Sequence, residues 1–157
     1  MFVEEKTGLI EEIDKLVAKY GNTRSSLLPI LHEIQKKYRY ISDFAQQEIA
    51  KRLKIHPVEV YSVISFYSFL NSEPKGRNLV RICKSIVCDM KGKDAIVKAL
   101  ERELGIKIGE TTPDKKITLE YLNCMGLCDH APAMAINDRV YTDLTPEKAV
   151  ELVNNIK

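Results

Sequence analysis

Four cysteines stand in two close pairs, Cys83 and Cys88 in CKSIVCDMKG, and Cys124 and Cys128 in CMGLCDHAP. The pattern is C-x4-C, an interval of 35 residues, then C-x3-C. Thiols held in pairs serve redox exchange, structural zinc or an iron-sulfur cluster. The N-terminal stretch MFVEEKTGLIEEIDKLVAKY carries five acidic residues and no continuous apolar run, so it reads as neither a secretory signal nor a transit peptide. No apolar run approaches the roughly 20 residues of a membrane helix. The expectation is a cytoplasmic chain without direct membrane insertion, any membrane association being supplied by a larger complex. In a reducing compartment such cysteines are metal ligands or redox thiols before they are disulfides.

The spacing separates these chemistries further. Four-cysteine zinc sites usually use tighter C-x2-C knuckles, although their ligand spacing varies, and zinc stays open on the residues alone. Plant-type ferredoxins use C-x4-C-x2-C, but the residue three after Cys88 is Lys91. A Rieske centre needs two histidines; His130 is the only one nearby and reads as an ordinary loop residue, with His32 and His56 in the helical region. Paired, wider loops suit a rhombic 2Fe-2S cluster, in which each iron takes two thiolates. Two ferric ions, two sulfides and four thiolates carry a net charge of minus two, and minus three after one electron. Backbone N–H groups at Gly92 and Gly126, and a helix beginning near residue 91, are expected to face the sulfurs and offset that charge.

The elements that must position these pairs fall into two sets. Before residue 73 the apolar residues recur at helical spacing. Leu9, Ile13, Leu16, Val17 and Tyr20 mark a first helix stopped by Gly21-Asn22; Leu27, Leu31 and Ile34 mark a second. Ser42 and Asp43 cap a third through Phe44, Ile49 and Leu53, and Pro57 opens a fourth, VEVYSVISFYSFL. NSEPKGRN, residues 71 to 78, reads as a linker. Beyond it the period changes. LVRIC is a buried strand ending at Cys83, KGKDAIVKALERELG a helix, ITLEYL a second strand ending before Cys124, AMAIN and RVYTD a hairpin about Asn137-Asp138, and TPEKAVELVNNI a last helix. The expected fold is α+β, with a helical bundle over 1–73 and an α/β domain over 74–157. Strand ends converge on one edge of such a sheet, so both cysteine pairs are expected to face one site.

With the elements placed, the cysteine spacing, GETTPD ahead of the second pair and CMGLCDHAP around it resemble the thioredoxin-like 2Fe-2S subunit of respiratory complex I. The same subunit type occurs in NAD(P)-linked hydrogenases, including electron-bifurcating ones, and in some formate dehydrogenases. IQKKYRYIS, IAKRL, VISFYSF and PKG match its helical region, and VYTDLTPEKA its end. The resemblance implies a thioredoxin-like 2Fe-2S ferredoxin domain with Cys83, Cys88, Cys124 and Cys128 as cluster ligands. It also implies electron transfer beside a flavin-containing NAD(P)H-oxidising iron-sulfur subunit, with FMN and NAD(P) on that partner and further iron-sulfur or hydrogenase subunits beyond it. Two departures stand out: Arg39 where a glycine is usual, and Lys115-Lys116-Ile117 in place of a glycine-containing approach to the strand.

Two other functions compete. IAKRLKIHPVEVYSVISFY could form a helix-turn-helix in an iron-sulfur DNA-binding redox regulator, but Val58 to Leu70 contains no Lys or Arg for bases or phosphates. The net charge of +2 adds no argument for nucleic acid. A thiol-disulfide oxidoreductase lacks its C-x-x-C. No dinucleotide fingerprint, P-loop or nucleophile–base pair is present, so the isolated chain is expected to be a non-catalytic subunit of an oxidoreductase.

Overall fold

A computed structural model describes residues 2–156. The chain divides into two compact units, Met1–Pro74 and Lys75–Lys157.

In the first unit, α1 (Phe2–Tyr20), α2 (Leu27–Tyr38), α3 (Asp43–Leu53) and α4 (Pro57–Phe66) share one apolar core, with a 3-10 turn at Arg24–Ser26. Ile13, Ile30, Leu31, Ile34 and Ile49 are fully buried there, the stripe that helical spacing sets on one face. The starts of α3 and α4 are capped by side chains. Ser42 Oγ accepts from the Ala45 amide at 3.2 Å. His56 Nδ1 accepts from the Val58 amide at 3.2 Å, while Glu59 accepts from the His56 amide at 3.2 Å, a capping box with histidine in place of the usual hydroxyl.

The fourth helix is shorter than its apolar run suggests. It stops at Phe66, and Tyr67 is extended at φ −88°, ψ 109°. The chain must turn back there, because Leu70 and Asn71 are buried. The Asn71 amide donates to Gln35 Oε1 at 2.6 Å and the Ile41 amide donates to the Asn71 carbonyl at 2.8 Å. The expected linker is correspondingly reduced, since Asn71 is held by the first unit while Arg77 and Asn78 already donate to the carbonyls of Lys115 and Lys116.

In the second unit, β1 (Asn78–Cys83), β2 (Ile117–Leu122), β3 (Met134–Ile136) and β4 (Arg139–Tyr141) form a mixed sheet in the order β2-β1-β3-β4. The β1–β2 pair is parallel, from Asn78 opposite Ile117 to Cys83 opposite Leu122. The β1–β3 and β3–β4 pairs are antiparallel. A short helix, α5 (Ile86–Met90), follows β1. Val80, Ile82, Leu119, Met134 and Ile136 form a core with Ile96, Val97 and Leu100 of α6 (Lys93–Leu104) and Ala149 and Val153 of α7 (Pro146–Asn154). Gly76 runs against β2: its amide donates to Thr118 Oγ1 at 2.7 Å, and an added Cβ would lie 2.8 Å from a backbone atom of Ile117. Among the described residues no helix is long and apolar enough to cross a membrane.

Candidate metal centre

Parallel neighbours end on the same edge, so β1 and β2 deliver both cysteine loops to one place. Cys83 is the last residue of β1, and Leu122, its partner in register, lies two residues before Cys124. The exit is fixed by the Cys83 amide donating to the Ala133 carbonyl at 3.1 Å and the Lys84 amide to the Leu122 carbonyl at 2.9 Å.

Ser85 then starts α5, its Oγ 3.5 Å from the Cys88 amide and also 3.5 Å from Cys83 Sγ. Cys88 therefore lies within a helix of five residues rather than in the loop expected from the sequence. Both Cys83 and Cys88 are buried, at 2% exposure.

The second pair is exposed. Gly126 turns the chain at φ 78°, in the left-handed region that glycine enters at low cost. Its amide donates to Cys124 Sγ at 3.4 Å, as the sequence suggests. Cys128 opens a 3-10 turn, Cys128–His130.

The spacing of the second pair fits two thiolates on one metal. Cys124 Sγ and Cys128 Sγ are 3.6 Å apart. Two sulfurs on one tetrahedral metal, each about 2.3 Å from it, stand about 3.8 Å apart, whereas a disulfide holds them at about 2.05 Å. All four cysteines are free. Contact with Cys124 raises the Cys128 thiol's pKa first, followed by desolvation and the charges of Cys124, Cys88 and Cys83. The other three thiols thus all bear on Cys128, and a bound polycation would relieve that repulsion.

The opposite balance holds at Cys83. Burial pushes its pKa up, but the Ser85 side chain and backbone, then Cys88 and the Met125 backbone, outweigh burial and bring it below the usual thiol value. Ser85 and Met125 are the site groups absent from the expectations drawn on sequence. A serine three residues before Cys88 is a visible helix-cap signal, whereas a backbone contact such as that of Met125 leaves no mark on residue type.

One expectation about the surroundings is corrected, and the helix expected near residue 91 is found. The helix after the first pair begins at Lys93, and Gly92, at φ 93°, serves as its N-cap. The Gly92 amide donates to the Asp89 carbonyl at 3.1 Å, so this N–H is engaged away from sulfur. Lys93 pairs with Asp89, lies 3.4 Å from Asp94, and places its ammonium 5.1 Å from the centroid of the Tyr121 ring. This joins α5 and the end of β2 to the start of α6. His130 is held by carboxylates, with Nδ1 3.0 Å from Asp143 and Nε2 3.4 Å from Asp129.

Beside the cysteines, Ile86 and Met90 expose 70% and 81% of their surface on α5. In the first unit Tyr61, Phe66, Tyr67 and Phe69 are also exposed, so these aromatics are surface rather than core.

The family model for the thioredoxin-like [2Fe-2S] ferredoxin matches residues 13–157. A 149-residue match to "NADH dehydrogenase [ubiquinone] flavoprotein 2, mitochondrial" of Dictyostelium discoideum is 38% identical and covers 93% of this chain and 60% of that protein. An NADH-quinone oxidoreductase subunit of Buchnera aphidicola subsp. Acyrthosiphon pisum is 40% identical over 148 residues, covering 94% and 91% respectively. The structure of an NAD+-reducing [NiFe]-hydrogenase in the H2-reduced state superposes with a TM-score of 0.74 at 26% identity, over 86% of this chain and 22% of that one. The chain thus spans about three-fifths of the Dictyostelium relative and under a quarter of the hydrogenase chain. The chain belongs to the thioredoxin-like [2Fe-2S] ferredoxin family.

Proposed function

We propose that this family member is an electron-transfer subunit, carrying one 2Fe-2S cluster on Cys83, Cys88, Cys124 and Cys128 beside a flavin-containing NAD(P)H-oxidising subunit. The observation that carries the reading is the delivery of two thiol pairs to one edge of the sheet, one pair with its sulfurs 3.6 Å apart. When bound, such a cluster supplies one-electron exchange. The chain's own groups hold the ligands in place: Ser85 and the Gly126 amide lie against sulfur, and β1 and β2 fix the separation of the two loops.

NADH delivers two electrons together, so a flavin on the partner divides the pair. The names of the NADH dehydrogenase and NADH-quinone oxidoreductase relatives support that assignment. The apolar residues Ile86 and Met90 beside the cysteines, and the exposed aromatics of the N-terminal helical bundle, suit docking on protein. The DNA-binding reading gains no support, because α4, PVEVYSVISF, carries no cation.

Anaerobically purified chain is expected to hold about two irons and two sulfides, and to give a rhombic one-electron EPR signal on reduction. Stoichiometric zinc without visible absorption would refute the cluster. The isolated chain is expected to oxidise no NADH, and pull-down from native cells to recover a flavoprotein. A fragment starting near Glu73 is expected to assemble the cluster, residues 74–157 forming the cluster-binding domain; failure of that fragment beside a loaded full chain would refute the domain assignment.

A further inference from the structure

Ser85 lies between the first two cysteines, and its oxygen meets both of them. It is 3.5 Å from Cys83 Sγ and 3.5 Å from the Cys88 amide nitrogen, which it caps at the start of α5. A hydroxyl has one proton to donate and two lone pairs with which to accept. The Cys88 amide uses a lone pair, so the proton remains for one acceptor. In the free chain the Cys83 thiol donates to Ser85 Oγ; a cysteine bound to a cluster carries no proton, so there the direction is reversed, with Ser85 donating and Cys83 accepting. The contact lies in the buried half of the site, where a donor to charge counts for more than it would in water.

We propose that Ser85 is a tuning and positioning residue of the centre: its hydroxyl donates to Cys83 Sγ and raises the reduction potential of a cluster bound there, while the same oxygen anchors the helix that presents Cys88. The proposal rests on the four-cysteine cluster reading above. Reduction adds negative charge to the sulfurs, so a donor at sulfur favours the reduced state and its removal favours the oxidised one.

The test uses the full chain and its Ser85→Ala, Ser85→Thr and Ser85→Gly variants, purified anaerobically. Iron and sulfide are counted, the midpoint is measured by dithionite titration followed by EPR, and each chain is melted. Ser85→Ala is expected to lower the one-electron reduction constant threefold to tenfold, about 28 to 59 mV downward. Ser85→Thr keeps the hydroxyl and is expected to stay within about a factor of two. Ser85→Gly separates the two roles. Glycine caps a helix nearly as well as serine does, so the melting temperature is nearly retained, but it brings neither a hydroxyl nor a charge to sulfur and the reduction constant falls as far as in the alanine variant.

A residue that only caps the helix gives another pattern, in which Ser85→Gly matches the parent in potential; that result, or an unchanged midpoint in Ser85→Ala, overturns the proposal. If Ser85→Ala does not load, the threonine and glycine variants decide by the same criteria. Absence of iron in the parent chain sinks the cluster reading and this proposal together, whereas a loaded parent with unshifted variants sinks this proposal alone.

Discussion

Replacing Gly76 by alanine tests whether close approach of the chain to β2 supports the sheet that carries the cysteines. The added Cβ would lie 2.8, 2.9 and 2.9 Å from the Ile117 carbonyl carbon, the Ile117 nitrogen and the Thr118 nitrogen. Ordinary contact begins near 3.4 Å, so the carbon stands about 0.6 Å inside it. All three neighbours are backbone, so no side-chain rotation relieves the overlap. Segment 75–78 must move off β2. That retreat stretches the 2.7 Å hydrogen bond from the Gly76 amide to Thr118 Oγ1 and the 3.0 and 2.7 Å bonds that follow at Arg77 and Asn78. Overpacking costs about 1–3 kcal/mol, and a weakened hydrogen bond about 1 more. Gly76→Ala is therefore expected to lose about 2–4 kcal/mol, a fall in melting temperature on the order of 10 °C or more for a domain of this size. Gly8→Ala is the control with opposite sign. Gly8 lies inside α1 with nothing within 4 Å of an added Cβ, and alanine there is expected to add about 0.5–1 kcal/mol. Both variants are followed by circular dichroism in heat and in denaturant. A Gly76→Ala chain within about 0.5 kcal/mol of the parent would refute the close-approach argument.

Three further outcomes are expected. Arg39 ends α2 at φ 71°, so Arg39→Gly should exceed Arg39→Ala in stability by about 1 kcal/mol in denaturant melts, both variants lacking the arginine side chain. Asn137→Ala should cost about 1–3 kcal/mol in the same assay, because Asn137 Oδ1 accepts from the Leu79 amide at 2.9 Å and Nδ2 donates to Asn78 at 3.0 Å. Cys124→Ser should lose or severely perturb the iron-sulfur chromophore, while His130→Ala should retain it; loss in the His130 variant would contradict the all-cysteine ligand set.

In the sequence β1, β2, the β3–β4 hairpin and α6 are legible because each is long enough, or bounded clearly enough by turn residues, for its periodicity to show. Both cysteine pairs can also be placed at strand ends, since the strand-helix-strand order requires parallel neighbours that finish together. The five residues of α5 are too few to establish a helical period, so the helix carrying Cys88 reads as loop. The stop at Phe66 is a tertiary effect: α4 has the composition to continue, but burial of Leu70 and Asn71 pulls the chain out of register. Arg39 and Lys115, at φ 71° and 56°, keep left-handed turns without glycine. Nothing in an arginine or lysine signals that conformation, and only departure from the family pattern marks the two places.

The parallel pairing of Asn78 with Ile117 also sets an order of events during synthesis. The first unit consists of helices packed on helices nearby in the chain and can close as it emerges. The second unit cannot, because β1 leaves the ribosome before its parallel neighbour has emerged. At about 5–20 residues per second, the interval between Cys88 and Cys124 lasts roughly 2 to 7 seconds. During those seconds the first thiol pair meets its surroundings alone, open to any metal or oxidant present. Translation therefore presents Cys83 and Cys88 first, and Cys124 and Cys128 follow once the sheet has its second strand.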